Sequence, residues 1–218
     1  MKKTENKTLQ AVFDLILNIV IIGLLVVLIR SFIVSPFQVS GPSMCDTLNF
    51  IDGACVPTGG TIGEFMLINK FSYLIGSPKR GDIIVFKPDS SEQFYIKRII
   101  GIPGDTIKIK NNNFVYITPK DGEEMKLNET YLNSTNYGNT KVARENLRTF
   151  HVPEGKYFAM GDNRAHSSDS RRCFQSFGEC QPDDPSAFIS PDVISGKAFI
   201  TLWPPSNMKL IRHFDYEF

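Results

Sequence analysis

The sequence lacks a strong charge excess, clustered histidines and C-x-x-C pairs, and each absence argues against a class of protein. Its formal net charge is +1, from 24 basic and 23 acidic residues. The chain therefore lacks the excess of positive charge that would indicate a nucleic-acid partner. The three histidines are scattered and the four cysteines contain no C-x-x-C pair. We therefore expect neither a metal nor another cofactor. At 218 residues, the chain is long enough for one domain with its own core and a small extra lobe.

Long apolar runs are absent except for one segment near the N-terminus. Residues 15–29 read LILNIVIIGLLVVLI, with Asn18 the only clearly polar member, and the flanking residues extend the segment to 11–34. About 20 mostly apolar residues suffice for a helix to cross a bilayer. A cleaved export signal has a similar pattern. The length of the run and the lack of a small-x-small cleavage site after it favour an uncleaved anchor.

Positive charge before this segment predicts its orientation. Lys2, Lys3 and Lys7 precede the apolar run, and basic residues favour the cytoplasmic side of a membrane. We therefore expect a single-pass protein of the cell (plasma) membrane with the lipid bilayer as a partner. The predicted divisions are a cytoplasmic N-terminus at 1–10, a transmembrane anchor at 11–34 and an extracytoplasmic domain at 35–218.

Short strand-like segments broken by glycine and proline follow the anchor. Residues 106–110 (TIKIK) alternate between apolar and polar side chains, as a half-buried strand does. No helical periodicity of comparable length appears after the anchor. The sequence therefore predicts a mainly β fold, with a coiled antiparallel sheet or barrel-like domain after a single transmembrane helix. A polar, asparagine-rich stretch predicts a small lobe at about 106–150.

The cysteines fall into two closely spaced pairs. An exported domain permits disulfides, and the spacing suggests Cys45–Cys55 and Cys173–Cys180. Four cysteines allow three pairings, however, and the sequence alone does not choose among them. A tetrahedral zinc site is an alternative that the missing C-x-x-C pair argues against.

Three polar segments carry groups that could perform chemistry. Ser43 lies on a Gly-Pro turn shortly after the anchor, although loop-forming residues alone explain that composition. Lys97 lies in an otherwise apolar strand. Such a lysine guards an exposed sheet edge in many proteins. If it is buried instead, its pKa falls and its neutral amine can accept a proton.

The third segment, at 161–171, is dense in hydrogen-bonding side chains. It could be an ordinary polar turn. A serine nucleophile with a lysine base also needs a third group to orient the base, and Ser167 is suited to that role. Asp169 and Arg171 could hold the loop through an ion pair.

Together these segments resemble the signature motifs of type I signal peptidases, a family that removes signal peptides on the outer side of the membrane. The matching motifs occur in the order of the family, after a membrane anchor, and extend over nearly the whole chain. They are Ser43-Met44 with Thr47-Leu48, RGDIIVF at 80–86, YIKRIIGIPGD at 95–105, the stretch 152–171, and Gly196-Lys197-Ala198 with Trp203-Pro204.

The resemblance implies an activity and roles for particular residues. The chain would be a serine endopeptidase that acts on preprotein signal peptides without a cofactor, and we expect a monomer. Ser43 would be the nucleophile and Lys97 the general base, with Ser167 positioning the lysine amine. The backbone N–H of Ser43 and a backbone donor at Gly41 would bind the oxyanion.

The resemblance also implies shallow pockets that admit small side chains before the cut bond. Ordinary packing of a β-sheet core would explain the same apolar residues. The residues expected to line the pockets are Phe37, Val39, Met44, Met66, Val85, Tyr95 and Ile96.

The chain departs from the family pattern beside the nucleophile. Asp46 stands where the family usually has proline, and residues 49–60 look like an insertion. We hypothesise that a Cys45–Cys55 disulfide supplies the rigidity that the missing proline would give. The insertion is also the basis of an alternative function, a Ser/Lys peptidase dedicated to one secretion or conjugation system. A non-catalytic binding module is disfavoured because Ser43, Lys97 and Ser167 are all present.

Overall fold

The computed structural model describes residues 2–45, 47–56, 63–88, 91–142, 148–175 and 180–216, without the side chains of residues 2–6 and 8. Helix α1 (Lys2–Leu28) continues through one π-helical turn (Ile29–Ile33). The segment Leu9–Ile33 is long and apolar enough to cross a membrane, and its apolar side chains are exposed in the part of the chain that the structure describes. Two of the lysines on which the predicted orientation depends, Lys2 and Lys3, have side chains outside the described part.

Strands follow the helix, joined by short turns. The elements are β1 (Val34–Gln38), β2 (Phe50–Ile51), β3 (Ala54–Cys55), β4 (Phe65–Asn69), α2 (Ser72–Ile75), β5 (Ile83–Phe86), β6 (Tyr95–Gly101), β7 (Thr106–Ile109), β8 (Val115–Thr118), β9 (Met125–Lys126), β10 (Thr149–His151), β11 (Phe158–Met160), β12 (Ile194–Trp203) and β13 (Lys209–Leu210), with 3₁₀ turns at Ser170–Arg172, Pro185–Ala187, Pro191–Val193 and Pro205–Asn207.

Among the described residues, the larger sheet has seven antiparallel strands in the order β1-β4-β12-β5-β6-β11, with β13 against β12. Strand β12 pairs with β4 on one side and β5 on the other, and its register shifts at three places, such as between Ile194 and Gly196. Such bulges bend a strand and increase its twist, which coils the sheet. The predicted mainly β, antiparallel fold is confirmed.

The segment predicted as a small lobe contains the second sheet, with strand order β10-β7-β8-β9 in the described part of the chain. Its inward side chains, such as Ile107, Val115 and Phe150, join one buried cluster with Phe158 and Met160 of the larger sheet. The rings of Phe150 and Phe158 lie 4.8 Å apart between centroids. The second sheet therefore packs directly on the larger one.

Strand β5 is buried on both faces and separates two parts of the core. Ile83 and Val85 contribute to a cluster that contains Met44, whereas Ile84 and Phe86 contribute to one on the other face. This follows from the alternation of side chains along a strand. Residues on the next strand, β6, are thereby fixed between two packed layers.

Candidate active site

The turn that contains the predicted nucleophile Ser43, termed the nucleophile turn, spans residues 41–48 between β1 and β2 and is tied to the loop that follows β11. Within the turn, Cys45 N–H donates to Pro42 O at 2.9 Å and Leu48 N–H to Met44 O at 2.8 Å. From the other loop, Asn163 donates its backbone N–H to Ser43 O at 3.1 Å and its side-chain amide to Pro42 O at 3.0 Å. These bonds hold the Ser43 backbone on both sides.

The side chains of Ser43 and Lys97 meet although they are far apart in sequence. Lys97 lies on β6, opposite Ile84 of β5, and is 2% exposed. Its Nζ is hydrogen-bonded to Ser43 Oγ at 2.8 Å and donates to Ile96 O at 2.8 Å. A proton can therefore pass directly between the serine hydroxyl and the lysine amine.

The charge state of Lys97 follows from its surroundings. Burial disfavours the ammonium form and lowers the pKa of Lys97 to about 8, from 10.5. The nearby carboxylates of Asp169 and Asp162 act in the opposite direction, while the cation of Arg171 lowers the pKa further. About 10% of the amine is therefore neutral at pH 7, and about half at pH 8.

A buried ion pair, which the sequence analysis did not identify, braces the same turn. Arg98 donates through Nε and Nη2 to the two carboxylate oxygens of Asp162, at 2.9 and 2.7 Å. The Asp162 carboxylate also accepts from Thr47 Oγ1 at 2.6 Å. An arginine inside an apolar strand, next to Lys97, is the sequence signal for such a pair.

The loop at 161–171 is held by Asp169. Its carboxylate accepts from Arg171 Nε and Nη2 at 2.9 and 2.8 Å and from Gly161 N–H at 3.0 Å. Burial alone would raise the pKa of Asp169, but Arg171 and these hydrogen bonds keep it below its usual value. The ion pair suggested by the sequence is present in this geometry.

The expected hydrogen bond between Ser167 and Lys97 is not formed. Within the described part of the chain, the buried Ser167 Oγ has no hydrogen-bond partner, although it lies close enough to Asp169 to help lower the pKa of that carboxyl. Ser43 and the Ile96 carbonyl already bind the lysine amine. Ser167 nevertheless lies against the site, because a methyl group built on Gly161 would come within 2.2 Å of its Oγ and 2.4 Å of Ser43 O.

A second, fully buried ion pair supports the loop from the side of the smaller sheet. The Arg164 guanidinium bonds to both carboxylate oxygens of Glu129 and donates to Thr140 Oγ1 at 2.9 Å, and its Nε donates to Gly161 O at 3.1 Å. Neither Glu129 nor Arg164 was among the predicted site residues. Their separation in sequence gives no local signal of the pair.

A cavity of about 280 Å³ opens beside Ser43 and Lys97. Six of the seven predicted pocket residues line it, together with some that were not predicted, notably Gln93, Phe94 and His166. Phe94 packs edge-on against Phe37, with 5.1 Å between ring centroids. The predicted residues on its wall are Phe37, Val39, Met66, Val85, Tyr95 and Ile96.

The prediction for Met44 is wrong. Its side chain is fully buried in the cluster with Leu48, Met66 and Val85 rather than on the cavity wall. Its Sδ accepts from Asp162 N–H at 3.4 Å. The side chain directly after the nucleophile therefore anchors the turn to the core.

Gly41 and Ser43 both line the same cavity. Gly41 has φ of 75°, in the left-handed region that glycine adopts without a Cβ penalty. Its carbonyl accepts from Asn49 Nδ2 at 3.0 Å. Within the described residues, the Ser43 N–H has no hydrogen-bond acceptor, so it is free to bind an oxyanion.

Among the described residues, the cysteines form the disulfides Cys45–Cys55 and Cys173–Cys180, with Cα–Cα distances of 5.6 and 5.3 Å. Paired cysteines cannot ligate zinc, so the zinc alternative is not supported. The first disulfide links the nucleophile turn to the β2–β3 hairpin of the insertion. Asp46 and residues 57–60 of that insertion lie outside the described part.

Comparison with known proteins identifies a family. The family model described as "Signal peptidase, peptidase S26" matches residues 12–203. Signal peptidase I of Bacillus licheniformis is 36% identical over 173 residues, covering 78% of this chain and 83% of that protein. Signal peptidase I T of Bacillus subtilis (strain 168) is 37% identical, covering 78% and 80%. Signal peptidase I of Pseudomonas aeruginosa is 32% identical over 221 residues, covering 87% and 72%.

Among solved structures, a signal peptidase I from Enterococcus faecalis V583 is 30% identical, with a TM-score of 0.39, and covers 56% of this chain and 97% of that one. None of these matches favours a peptidase dedicated to one secretion or conjugation system. The family is membrane-anchored and acts on signal peptides, and Leu9–Ile33 is a possible span. The chain belongs to the signal peptidase family, peptidase S26, and is a serine endopeptidase.

Proposed function

We propose that this peptidase cuts preproteins after small-x-small residues by forming an acyl-enzyme on Ser43, with Lys97 as the general base. The observation that carries the proposal is the 2.8 Å contact between Ser43 Oγ and the buried Lys97 Nζ. Burial supplies the neutral amine that the base requires, because it lowers the pKa of Lys97 to about 8.

In the first half of the reaction, the neutral Lys97 amine takes the hydroxyl proton as Ser43 Oγ attacks the carbonyl carbon of the bond to be cut. The tetrahedral intermediate collapses when the C–N bond breaks, and the lysine ammonium gives its proton to the leaving amine. The signal peptide is then bound to Ser43 as an ester, and Lys97 is neutral again.

In the second half, Lys97 takes a proton from a water molecule, whose oxygen attacks the ester carbonyl. The ester bond breaks, Ser43 regains its proton from the lysine, and the signal peptide leaves with a free carboxyl group. In both halves, the free N–H of Ser43 would stabilise the oxyanion, with the Gly41 backbone as the proposed second donor. Donors of this kind contribute about 10²–10³ each to kcat.

The dimensions of the cavity support selection of small side chains. A volume of about 280 Å³ lined by Val39, Met66, Val85 and Ile96 admits a short extended peptide with small side chains beside Ser43. Larger side chains would have to displace Val39, Met66 or Val85, which are packed in the core cluster on one face of β5. Ser167 contributes to this site by filling the space against Gly161.

We also propose that Leu9–Ile33 anchors a monomer in the cell membrane, with the N-terminus in the cytoplasm and the cavity on the outer side. The candidate span and the basic residues before it support this arrangement.

The test uses the full-length protein in detergent with a precursor that carries an Ala-x-Ala signal peptide. We expect the wild type to cut after the second alanine and both Ser43→Ala and Lys97→Ala to be inactive, with the new N-terminus identified by sequencing. Ser206→Ala and Lys120→Ala, which change exposed residues of the same types, serve as matched controls and should cut normally. Equal cleavage by all variants would overturn the proposed dyad.

A further inference from the structure

Tyr95 connects the wall of the catalytic cavity to the loop that carries the Cys173–Cys180 disulfide. Its ring lines the catalytic cavity, and its hydroxyl donates to Phe174 O at 2.9 Å. The rings of Tyr95 and Phe174 also pack edge-on, with 5.7 Å between their centroids. The Lys97 Nζ lies 5.5 Å from the centroid of the tyrosine ring. The position of Phe174 therefore affects the position of Tyr95, which forms part of the cavity wall next to Lys97.

Phe174 has an unusual backbone conformation that needs external restraint. It follows Cys173, and the two residues have φ of 58° and 49°. Consecutive non-glycine residues in the left-handed region are disfavoured for an L-amino-acid chain. The disulfide from Cys173 to Cys180 and the hydrogen bond from Phe174 N–H to Asp169 O at 3.1 Å restrain this segment.

A second cavity provides the space into which the wall could move. It has a volume of about 270 Å³ and is lined by Phe86, Phe174, Phe188 and others. Phe86 and Phe174 are in edge-on contact at 5.1 Å, and both contact Tyr95. Since Tyr95 lines the first cavity and its two aromatic partners line the second, the three rings form a wall between the cavities.

We propose that Phe174, restrained by the Cys173–Cys180 disulfide, is a positioning residue that anchors Tyr95 and so limits the size of the side chains that the catalytic cavity admits. The inference rests on the proposed function and extends it to specificity. Without the anchor, the tyrosine ring can tilt toward the second cavity and deepen the first. Discrimination by an apolar pocket amounts to only about 10–200-fold per methylene, so a small displacement of its wall is sufficient to change it.

The experiment compares precursors that differ at one position before the cut bond, with alanine in one and leucine in the other. Separate pairs test the last and the third-last residue of the signal peptide. The measured quantity is the ratio of kcat/KM for the two precursors, with the full-length protein in detergent. The variants are Tyr95→Phe, which removes only the hydroxyl group, the double change Cys173→Ser with Cys180→Ser, and all three changes combined.

We expect the alanine-to-leucine ratio to fall at least tenfold in each variant at one of the two positions. The combined variant should show no further fall, because both changes release the same anchor. Tyr73→Phe is the matched control. Tyr73 belongs to the same cluster as Tyr95, and its hydroxyl group donates to Asp82 at 3.0 Å. The substitution therefore also removes a partly buried hydrogen bond, but Tyr73 is not among the described residues that line the cavity. Its ratio should equal that of the wild type.

Melting temperatures separate this effect from general loosening, because Tyr73→Phe should lower stability without changing the ratio. Suppose that the wild type prefers the alanine precursor and that the Tyr95 and disulfide variants have the same kcat/KM ratio as the wild type. The proposal that Phe174 anchors Tyr95 is then wrong, while the proposed function stands. Additive effects of the two changes would also overturn the shared anchor. If the wild type cuts both precursors equally, the proposed specificity fails, and this inference fails with it.

Discussion

A change of pH between 6 and 10 should titrate the buried amine that we propose as the general base. Burial lowers the pKa of Lys97 to about 8, and the Asp169 and Asp162 carboxylates limit that decrease. About 10% of the molecules then carry a neutral amine at pH 7, about half at pH 8 and about 90% at pH 9. Since only the neutral amine accepts the Ser43 proton, kcat/KM should rise about tenfold per unit below pH 7 and level off above pH 9.

Initial rates at low substrate concentration, with the full-length enzyme in detergent, give this profile, and circular dichroism at each pH checks that the protein is folded. Two variants test the sign. Asp169→Asn removes a charge that raises the pKa of Lys97 and should move the midpoint to lower pH, whereas Arg171→Gln should move it to higher pH. A midpoint near 10.5 in the wild type, or shifts of the opposite sign, would refute the reasoning.

The same lowered pKa has a consequence for stability. In the unfolded chain Lys97 regains a pKa near 10.5, so between pH 8 and 10.5 the unfolded state binds more protons than the folded state. The contribution of this residue to the free energy of unfolding therefore increases as the pH rises through that range. Below pH 8, the lowered pKa of Lys97 reduces the free energy of unfolding by about 3 kcal/mol. The packing around Lys97 must offset this loss of stability.

Three further changes have expected outcomes that follow from the contacts of the nucleophile turn and its neighbours. Replacing Cys45 and Cys55 by serine should cost about 2–3 kcal/mol of stability, the value for a short closed loop, and lower the melting temperature measured without reductant; an unchanged value would show that the disulfide does not restrain the turn. Gly161→Ala should reduce kcat/KM at least 100-fold, because the added methyl group would lie 2.4 Å from Ser43 O; normal kinetics would contradict that close approach. Arg164→Leu should destabilise the fold by about 3–5 kcal/mol, because the buried Glu129 carboxylate loses its cationic partner; denaturant unfolding would measure this loss.

The fold class could be predicted because it depends on local pattern. The length of the apolar run at 11–34 is enough to predict a helix that can cross a bilayer. Alternation of apolar and polar residues in segments such as 106–110 reflects the geometry of a strand. The pairing of Ser43 with Lys97 is different in kind. No spacing rule connects a turn after the anchor with a strand residue so far along the chain, and the prediction depended on the resemblance of the motifs to a family.

The remaining features of the site depend on tertiary contacts that leave no local trace. Met44 follows the nucleophile directly, yet the turn directs it into the core, where Asp162 N–H binds its sulfur. Phe94 lines the cavity with its ring edge-on against Phe37, which lies far away in the sequence. The bond from Tyr95 to Phe174 joins residues on a strand and a disulfide loop. Periodicity identifies which face of a strand is buried, but not which loop will cover it.

The short connection between the candidate span and the cavity would add a second level of selection in the membrane arrangement that we propose. The candidate span ends at Ile33, β1 begins at Val34, and Phe37 of that strand already lines the cavity. An extended chain advances about 3.3 Å per residue, so Phe37 lies at most about 13 Å beyond the span. In the membrane arrangement that we propose, Ser43 is reached by the few extended residues that follow the apolar helix of a signal peptide in the same bilayer. The anchor would then select substrates by the distance of the cut bond from the membrane, while the cavity would select them by side-chain size.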